Sequence, residues 1–258
     1  MISLSKEESL HKISLRKKSV VSLAKERDLD SVRARVALVL DKSVSMDNLF
    51  RDGTVQDIIE RIIPLALNFD DNGELDLWLF SDYAKRLDGV TLDNFYGLAE
   101  EIHEEYHLNG TNYAPVMLDI AKYYIDKEPM QIPNYVIFVT DGDNWDKEIT
   151  ENVITQLSHF PIFWQFVGIG HSSFSFLERL DTMTSRYIDN ANFFEANDIG
   201  YLSDDDLYDK LLGEFPHWLK LNEVQTMLCT YKKLKLPLHL KIVNFLDKLG
   251  AIYKGVYY

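Results

Sequence analysis

The stretch that decides the fold is residues 34–47, A-R-V-A-L-V-L-D-K-S-V-S-M-D. Residues 36–40 form an apolar run without alternation, which is typical of a strand buried on both faces of a parallel sheet. The run ends at Asp41, and two hydroxyl residues, Ser43 and Ser45, follow at alternate positions. Because open α/β sheets bind ligands at the carboxyl ends of their strands, we interpret this oxygen-rich loop as half of a metal site.

Length, cysteine content and hydropathy narrow the class of protein. The 258 residues suffice for one large α/β domain or two small ones with a substantial core. No apolar run approaches the roughly 18 residues that a membrane-spanning helix needs, and the amino-terminal segment lacks the long apolar block of a signal peptide. Cys229 is the only cysteine, so no intramolecular disulfide can form. These features predict a protein of the reducing cytoplasm.

The net charge of −14 is concentrated in the middle of the chain. Residues 1–27 carry seven Lys or Arg against three Glu, and residues 221–258 carry six Lys against two acidic residues. The acidic body between them disfavours nucleic acid as a partner and favours cations or basic partners. We divide the chain into a basic leader (1–29), a central domain (30–220) and a basic, helical extension (221–258). We expect both basic segments to pack on the acidic body; alternatively, they form arms that bind another protein or RNA.

Strands and helices alternate along the central domain. Strands are predicted near residues 35–40, 75–80, 135–139, 161–170 and 192–195, with an antiparallel edge strand at 83–87. Helices are predicted near residues 55–69, 92–106, 116–125, 147–157, 174–183 and 204–220, and residues 4–27 suit either an amphipathic helix or loosely ordered strands. We expect Thr54 to cap its helix and Pro64 to bend it. This order predicts an α/β fold with a doubly wound, mostly parallel sheet of about six strands and helices on both faces.

Oxygen ligands gather at three strand or loop ends. Besides the first loop, Thr111 precedes a predicted helix, and Asp141 follows the second fully apolar strand. The two most apolar strands should be central neighbours, so Asp41 and Asp141 should lie together. Two carboxylates and three hydroxyls can supply most ligands of an octahedral Mg²⁺, and oxygen ligands also suit Mn²⁺ or Ca²⁺. Neutral hydroxyls leave the ion electron-poor, so an acidic residue of a partner protein would complete its shell.

These residues resemble, in type and order, the metal-ion-dependent adhesion site of von Willebrand factor A (VWA) domains. The family pattern is met by D-K-S-V-S at 41–45, G-T at 110–111 and T-D-G at 140–142. Further segments, among them R-D-G-T-V-Q, F-D-D-N-G-E-L-D-L-W-L-F, F-W-Q-F-V-G-I-G and L-L-G-E-F-P-H-W-L, resemble the A domains of bacterial tellurium-resistance (Ter) proteins. Copine A domains are more distantly similar. The resemblance covers roughly residues 30–220.

The resemblance implies a VWA fold and a metal-dependent protein-interaction module, not an enzyme, in a system of resistance to tellurite and related stress. It implies another tellurium-resistance protein as the partner that supplies an Asp or Glu. The implied ligands of Mg²⁺, or of Mn²⁺ or Ca²⁺, are Asp41, Ser43, Ser45, Thr111 and Asp141. The loops that carry them hold no His or Glu placed as a base, only Lys42 and Asp143. We expect Asp143 to be solvent-exposed or to lie just behind the ligands.

Two residues depart from the family pattern. Lys42 and Val44 stand where relatives often carry small residues or glycine. Lys42 is expected to weaken metal binding by charge repulsion, and Val44 to strain the loop if a positive φ is needed there. A metal-free scaffold with a vestigial site is therefore one alternative.

An enzyme motif provides the other alternative. Residues 103–107, H-E-E-Y-H, match H-E-x-x-H, in which two histidines one helical turn apart bind zinc and the Glu serves as base. Tyr113 stands where the longer pattern requires a third His. We favour two half-exposed histidines on a polar helix face. The alternative function is a zinc-dependent hydrolase that uses His103, Glu104 and His107.

Overall fold

The computed structural model describes residues 4–70, 72–107, 109–126, 132–232 and Lys248, and these residues form one six-stranded sheet. The strands are β1 (Arg35–Asp41), β2 (Asp76–Phe80), β3 (Ala84–Arg86), β4 (Asn134–Thr140), β5 (Ile162–Ile169) and β6 (Ala191–Ala196). They lie in the order β3-β2-β1-β4-β5-β6, all parallel except β3, which runs antiparallel to β2. The predicted α/β sheet with an antiparallel edge strand is confirmed.

The first strand lies at the centre of the sheet. β1 pairs with β2 on one side and with β4 on the other, so that Leu40 lies beside both Leu79 and Val139. The order of the strands reverses here, because β2 and β3 extend the sheet in one direction and β4 to β6 in the other. Such a reversal leaves a crevice at the carboxyl ends of the two central strands. Asp41 ends β1 and Asp141 directly follows β4, so both acids lie at this crevice.

Helices cover both faces of the sheet. The helices are α1 (Lys6–Glu26), α2 (Asp47–Arg51), α3 (Thr54–Phe69), α4 (Leu98–Glu105), α5 (Ala114–Asp126), α6 (Lys147–Leu157), α7 (Ser175–Thr182), α8 (Asp204–Leu211), α9 (Phe215–Leu219) and α10 (Asn222–Lys232). Alternate residues of a strand point to opposite faces, so Leu38 and Leu40 pack with α1 to α4 and α8 to α10, whereas Ala37 and Val39 pack with α5 to α7. None of the helices in the described part of the chain combines the length and apolar character needed to cross a bilayer.

The basic leader forms a long helix, α1, and not strands. Ser5 and Glu8 form a capping box at its start, which satisfies backbone N–H groups of the first turn. Its buried Arg16 forms ion pairs of 3.0 Å with Asp57 of α3 and 3.1 Å with Asp204 of α8. The leader helix therefore packs against the acidic body.

The start of α3 differs from the prediction. Gly53, with a φ of 88°, is the N-cap residue, and Thr54 is the first residue of the helix. The backbone N–H of Thr54 donates a hydrogen bond of 2.9 Å to the carboxylate of Asp52. The predicted cap was wrong because an acid and a glycine just before Thr54 form the turn instead. The helix runs through Pro64 to Phe69 without ending.

Two other helix boundaries were also wrong. The helix predicted over 92–106 begins at Leu98, after Gly97 adopts a φ of 78°. The helix predicted over 204–220 is divided into α8 and α9, which begins with Phe215 and has Pro216 in its first turn. Most of the helical extension predicted at 221–258 lies outside the described residues, which include α10 and Lys248.

Candidate metal centre

The carboxylate of Asp41 ends β1 and is fully buried. Its Oδ1 accepts a hydrogen bond of 2.7 Å from the backbone N–H of Ser43, and its Oδ2 accepts one of 2.6 Å from the hydroxyl of Thr140. Burial raises the pKa of Asp41 to about 7 although these hydrogen bonds lower it, and the nearby charge of Asp141 raises it further. A positive charge at this position would stabilise the ionised carboxylate.

The two serines connect the loop after β1 to the loop after β4. The backbone of Ser43 is extended and residues Val44–Met46 form a 3-10 turn, which places the Oγ atoms of Ser43 and Ser45 3.0 Å apart. The hydroxyl of Ser45 donates a hydrogen bond of 2.9 Å to Oδ1 of Asp141. Burial raises the pKa of Asp141, although the bond from Ser45 lowers it. Four of the five predicted ligands, including Asp41, therefore belong to one hydrogen-bonded network.

Thr111, the fifth predicted ligand, lies on the neighbouring loop between α4 and α5. The backbone N–H of Asn112 donates a hydrogen bond of 2.7 Å to the carbonyl of Ser81, which follows β2. The backbone N–H of Trp145 donates one of 2.9 Å to the carbonyl of Thr111. These bonds hold Thr111 at the sheet edge where Asp141 lies. Among the described residues, the Thr111 hydroxyl takes no part in the hydrogen bonds of the other four ligands.

A buried carboxylate that sequence analysis missed, Asp146, holds this loop in place. Its two oxygens accept hydrogen bonds of 3.0 and 2.9 Å from the backbone N–H groups of Tyr113 and Ala114, where α5 begins. The side-chain amide of Asn144 donates a further bond of 2.6 Å to it. The sequence signal is the polar run D-G-D-N-W-D after β4. Its last acid supports the backbone next to Thr111 instead of joining the ligand network.

Asp143, two residues after Asp141, is also held by hydrogen bonds outside the ligand network. One of its oxygens accepts a hydrogen bond of 2.7 Å from the ammonium of Lys147, and the other accepts one of 3.2 Å from the backbone N–H of Phe176 in α7. Its side chain is 19% exposed. The predicted solvent exposure was therefore wrong, and its position just behind the ligands stays a prediction. The hydrogen bond to Phe176 ties the loop after β4 to α7.

The two residues that depart from the family pattern, Lys42 and Val44, are both accommodated in the loop. Lys42 is buried, and its ammonium lies 3.5 Å from the carboxylate of Asp47 and 4.9 Å from the ring centroid of Phe50. Its positive charge is therefore offset by an ion pair. Val44 has a negative φ, since Asp28 is the one non-glycine residue in the described ranges with a positive φ. The expected strain at Val44 was therefore wrong.

The H-E-x-x-H match does not form a helical zinc site. Helix α4 ends at Glu105, and Tyr106 is extended with a φ of −111° and a ψ of 111°, so His107 lies beyond the helix that carries His103. The Nε2 of His103 accepts a hydrogen bond of 3.1 Å from Arg51. No group of three or more His, Cys, Asp or Glu within the described residues is arranged to hold a metal ion. The geometry on which the zinc-hydrolase alternative depends is absent from this part of the chain.

The chemistry of the adhesion-site residues fits a hard divalent cation. Every side chain offers oxygen, and two of the five are carboxylates. Within the described part of the chain, neither Asp41 nor Asp141 forms an ion pair with a basic side chain. Burying two carboxylates near one another without a counter-charge is unfavourable. A bound cation would remove that cost, so these five residues can hold one.

Sequence comparisons place the chain in a family. A model of the vWA-TerF-like family, described as the vWA found in the TerF C terminus, matches residues 33–228. The uncharacterized protein YcbR of Bacillus subtilis (strain 168) is 44% identical to the chain over 212 residues. That similarity covers 81% of this chain and 86% of YcbR.

Structural comparisons agree with this placement. The VWA domain of SpRpn10 matches with a TM-score of 0.53 at 14% identity, over 69% of this chain and 95% of that domain. The manganese-loaded TRAP protein of Plasmodium vivax matches with a TM-score of 0.52 at 17% identity, over 71% of this chain and 73% of that one. Several other solved structures are matched over about half of their own length. At these identities the solved structures show the fold alone, whereas the family model and the similarity to YcbR show that the chain belongs to the vWA-TerF-like family of VWA domains.

Proposed function

We propose that this chain is a protein-interaction module that holds a divalent cation and, through it, binds an acidic group of a partner protein. The proposed cation is Mg²⁺, with Mn²⁺ or Ca²⁺ as substitutes. The proposed ligands are Asp41, Ser43, Ser45, Thr111 and Asp141. The observation that carries the proposal is the network that links buried Asp41, through the two serines, to Asp141.

The composition of the ligand set favours a further anion. When bound, the cation supplies a positive centre that accepts carboxylate oxygen. Asp41 and Asp141 contribute negative charge, whereas the three hydroxyls contribute neutral oxygens. Because Asp41 is buried, access to the centre is from the loop side, where Ser45 is exposed. A partner carboxylate that approaches from that side would complete the shell.

We place the protein among binding modules and not among enzymes, as is general for VWA domains. Two ionisable residues that neighbour the proposed ligands in the sequence form ion pairs elsewhere. Asp143 forms an ion pair of 2.7 Å with Lys147, and Lys42 forms one of 3.5 Å with Asp47. Neither is therefore placed to act as a general base.

For the cellular setting we propose a bacterial system of resistance to tellurite or related stress, with another tellurium-resistance protein as partner. The TerF reference in the family description and the similarity to a Bacillus subtilis protein support this setting. We propose the cytoplasm as the compartment, because the single Cys229 permits no internal disulfide. The acidic body supports a protein partner over nucleic acid.

Thermal unfolding in chelator, and then with Mg²⁺, Mn²⁺, Ca²⁺ or Zn²⁺, tests the proposed cation site. A ligand at about 100 times its Kd stabilises a protein by roughly 2.7 kcal/mol, which for a chain of this size raises Tm by about 5–10 °C. We expect Mg²⁺ or Mn²⁺ to stabilise the wild type, and not Asp41→Ala. Ser45→Ala should show a reduced shift, whereas the matched control Ser22→Ala, on the exposed side of α1, should behave as wild type.

The alternatives give different results in the same measurement. If none of the hard cations shifts the Tm of the wild type, the chain is a scaffold with a vestigial site. Stabilisation by Zn²⁺ alone, unaffected by Asp41→Ala and accompanied by hydrolytic activity that Glu104→Gln removes, would favour the hydrolase.

A further inference from the structure

Two apolar side chains stand exposed beside the candidate metal centre. Trp145 is 73% exposed and Val44 is 61% exposed. Val44 lies between Ser43 and Ser45, and the backbone of Trp145 is hydrogen-bonded to the carbonyl of Thr111 at 2.9 Å. Each therefore borders proposed ligands, on a different loop. We call Val44 and Trp145 together the apolar rim.

The backbone that carries Trp145 is firmly held. Its chain neighbours, Asn144 and Asp146, are each only 2% exposed and are hydrogen-bonded to one another at 2.6 Å. The ring lies against Gly110, because a Cβ added there would be 3.2 Å from ring atom Cζ3. A large apolar side chain on a fixed base loses little conformational freedom when a partner covers it.

Single exposed apolar residues are common on protein surfaces, so exposure alone does not indicate a binding site. The apolar rim is informative because it lies next to the proposed ligands. Tryptophan is enriched among the residues that dominate binding energy in protein interfaces. By contrast, Tyr187, which is 55% exposed, stacks on His159. These two residues precede β6 and β5, so they lie at the amino ends of the strands, away from the candidate metal centre. The apolar rim borders the place where a partner carboxylate would arrive.

We propose that the apolar rim contacts the partner residues next to the carboxylate that the cation binds, an inference that rests on the proposed function. The partner segment then carries one Asp or Glu directly beside an aromatic or large aliphatic residue. Charge restricts the segment further. Exposed Asp82 lies beside Gly110, and Asp47, 39% exposed, follows the first loop. Together with the acidic body, these carboxylates repel a run of acids, so the segment has a lone carboxylate.

Selection of random peptides displayed on phage tests this proposal. The full chain is immobilised in Mg²⁺ or Mn²⁺, bound phage are eluted with chelator, and the enriched peptides are synthesised for Kd measurements. We expect enriched peptides to carry an Asp or Glu beside an aromatic or aliphatic residue. Trp145→Ala should weaken their binding about tenfold or more, and Val44→Ser should weaken it to a lesser extent. The control Tyr187→Ala should bind as wild type.

The outcomes separate the rim from the cation site. If the chelator-eluted peptides carry carboxylates without an apolar neighbour, or bind Trp145→Ala as tightly as wild type, the apolar rim does not contact the partner. That result would not contradict the proposed cation site. A selection without any chelator-sensitive peptide that carries a carboxylate would overturn the proposed function together with the rim. If Trp145→Ala also lost the cation-induced rise in Tm, Trp145 would support the loop and its assignment to partner contact would be wrong.

Discussion

The hydroxyl of Ser45 donates a hydrogen bond of 2.9 Å to the carboxylate of Asp141, which lies 96 positions further along the chain. The bond joins two loops that follow the adjacent parallel strands β1 and β4. A second bond, from Thr140 to Asp41 at 2.6 Å, crosses between the same strand ends in the opposite direction. The candidate metal centre is therefore assembled by the pairing of these strands.

Asp41→Asn should abolish cation binding without destabilising the cation-free protein. Because burial raises the pKa of Asp41 to about 7, its charge is unfavourable in the fold, and an amide of the same shape removes that charge. The amide oxygen can keep the bond from the backbone of Ser43, and the amide nitrogen can donate to Thr140, whose hydroxyl then donates to the carbonyl of Gly142 at 3.1 Å. We expect a gain of about 1 kcal/mol in chelator. The control Asp146→Asn removes an acceptor from a buried backbone N–H and should cost about 1–3 kcal/mol. Urea unfolding with chelator measures both; a large loss in Asp41→Asn would show that Asp41 is mainly structural.

Lys42→Met should leave the affinity for Mg²⁺ or Mn²⁺ within about threefold of wild type. The substitution removes one positive charge and leaves the carboxylate of Asp47, 3.5 Å from the ammonium in the wild type, without its partner, which favours a cation. Because that carboxylate is 39% exposed, water screens most of the change, and the gain in affinity should stay small. The effect on stability should be about 0–1 kcal/mol, because Asp47 is partly exposed. Isothermal titration measures the affinity. A tenfold tighter Kd in Lys42→Met would show that the lysine weakens the site after all.

Gly110→Ala should weaken cation binding, whereas Gly53→Ala should not. Both glycines have a positive φ, 82° and 88°, so alanine at either position costs about 1 kcal/mol in strain. Only at Gly110 would the new Cβ also meet neighbours, at 3.2 Å from the Trp145 ring and 3.3 Å from Asp82, while Gly53 has open space. That crowding should displace the loop that carries Thr111. Equal cation affinities in the two variants would contradict this role of Gly110.

Arg16→Met should destabilise the protein by about 3 kcal/mol. The side chain is 6% exposed and pairs with Asp57 and Asp204. Arg61 pairs with the same two carboxylates at 2.9 and 3.4 Å, so the loss of Arg16 leaves two partly buried acids with a single arginine between them. The control Arg27→Met loses a pair with Asp209, which is 66% exposed, and should cost less than about 1 kcal/mol. Urea unfolding measures both variants. A small effect at Arg16 would mean that the leader helix contributes little to the stability of the domain.

The central part of the fold and the location of the candidate site could be predicted because they depend on local patterns. The apolar run that ends at Asp41 and the one that precedes Asp141 indicate strands buried on both faces, and such strands lie in the middle of a sheet. Parallel strands end at the same edge, so the two acids were expected to meet there. The strand pairing confirms that adjacency.

The remaining features depend on tertiary contacts that no local pattern contains. The sequence shows that Lys42 carries a charge but not where its side chain points. Its ammonium contacts Asp47 and Phe50, which come close to it only when α2 has formed. The role of Asp146 depends on the start of α5, which approaches from another part of the chain. Residues 103–107 match the H-E-x-x-H spacing, but this motif requires both histidines on one helix. Helix α4 ends at Glu105, before the second histidine.

The four tryptophans differ in burial, so their intrinsic fluorescence can report on binding at the candidate metal centre. Trp78, Trp164 and Trp218 are at most 2% exposed, whereas Trp145, beside the candidate metal centre, is 73% exposed. A water-soluble quencher such as acrylamide therefore quenches the fluorescence of exposed Trp145 much more than that of the three buried tryptophans. The arrival of a partner at this edge of the sheet can then be followed in the unlabelled wild-type protein, as the loss of that accessible fraction.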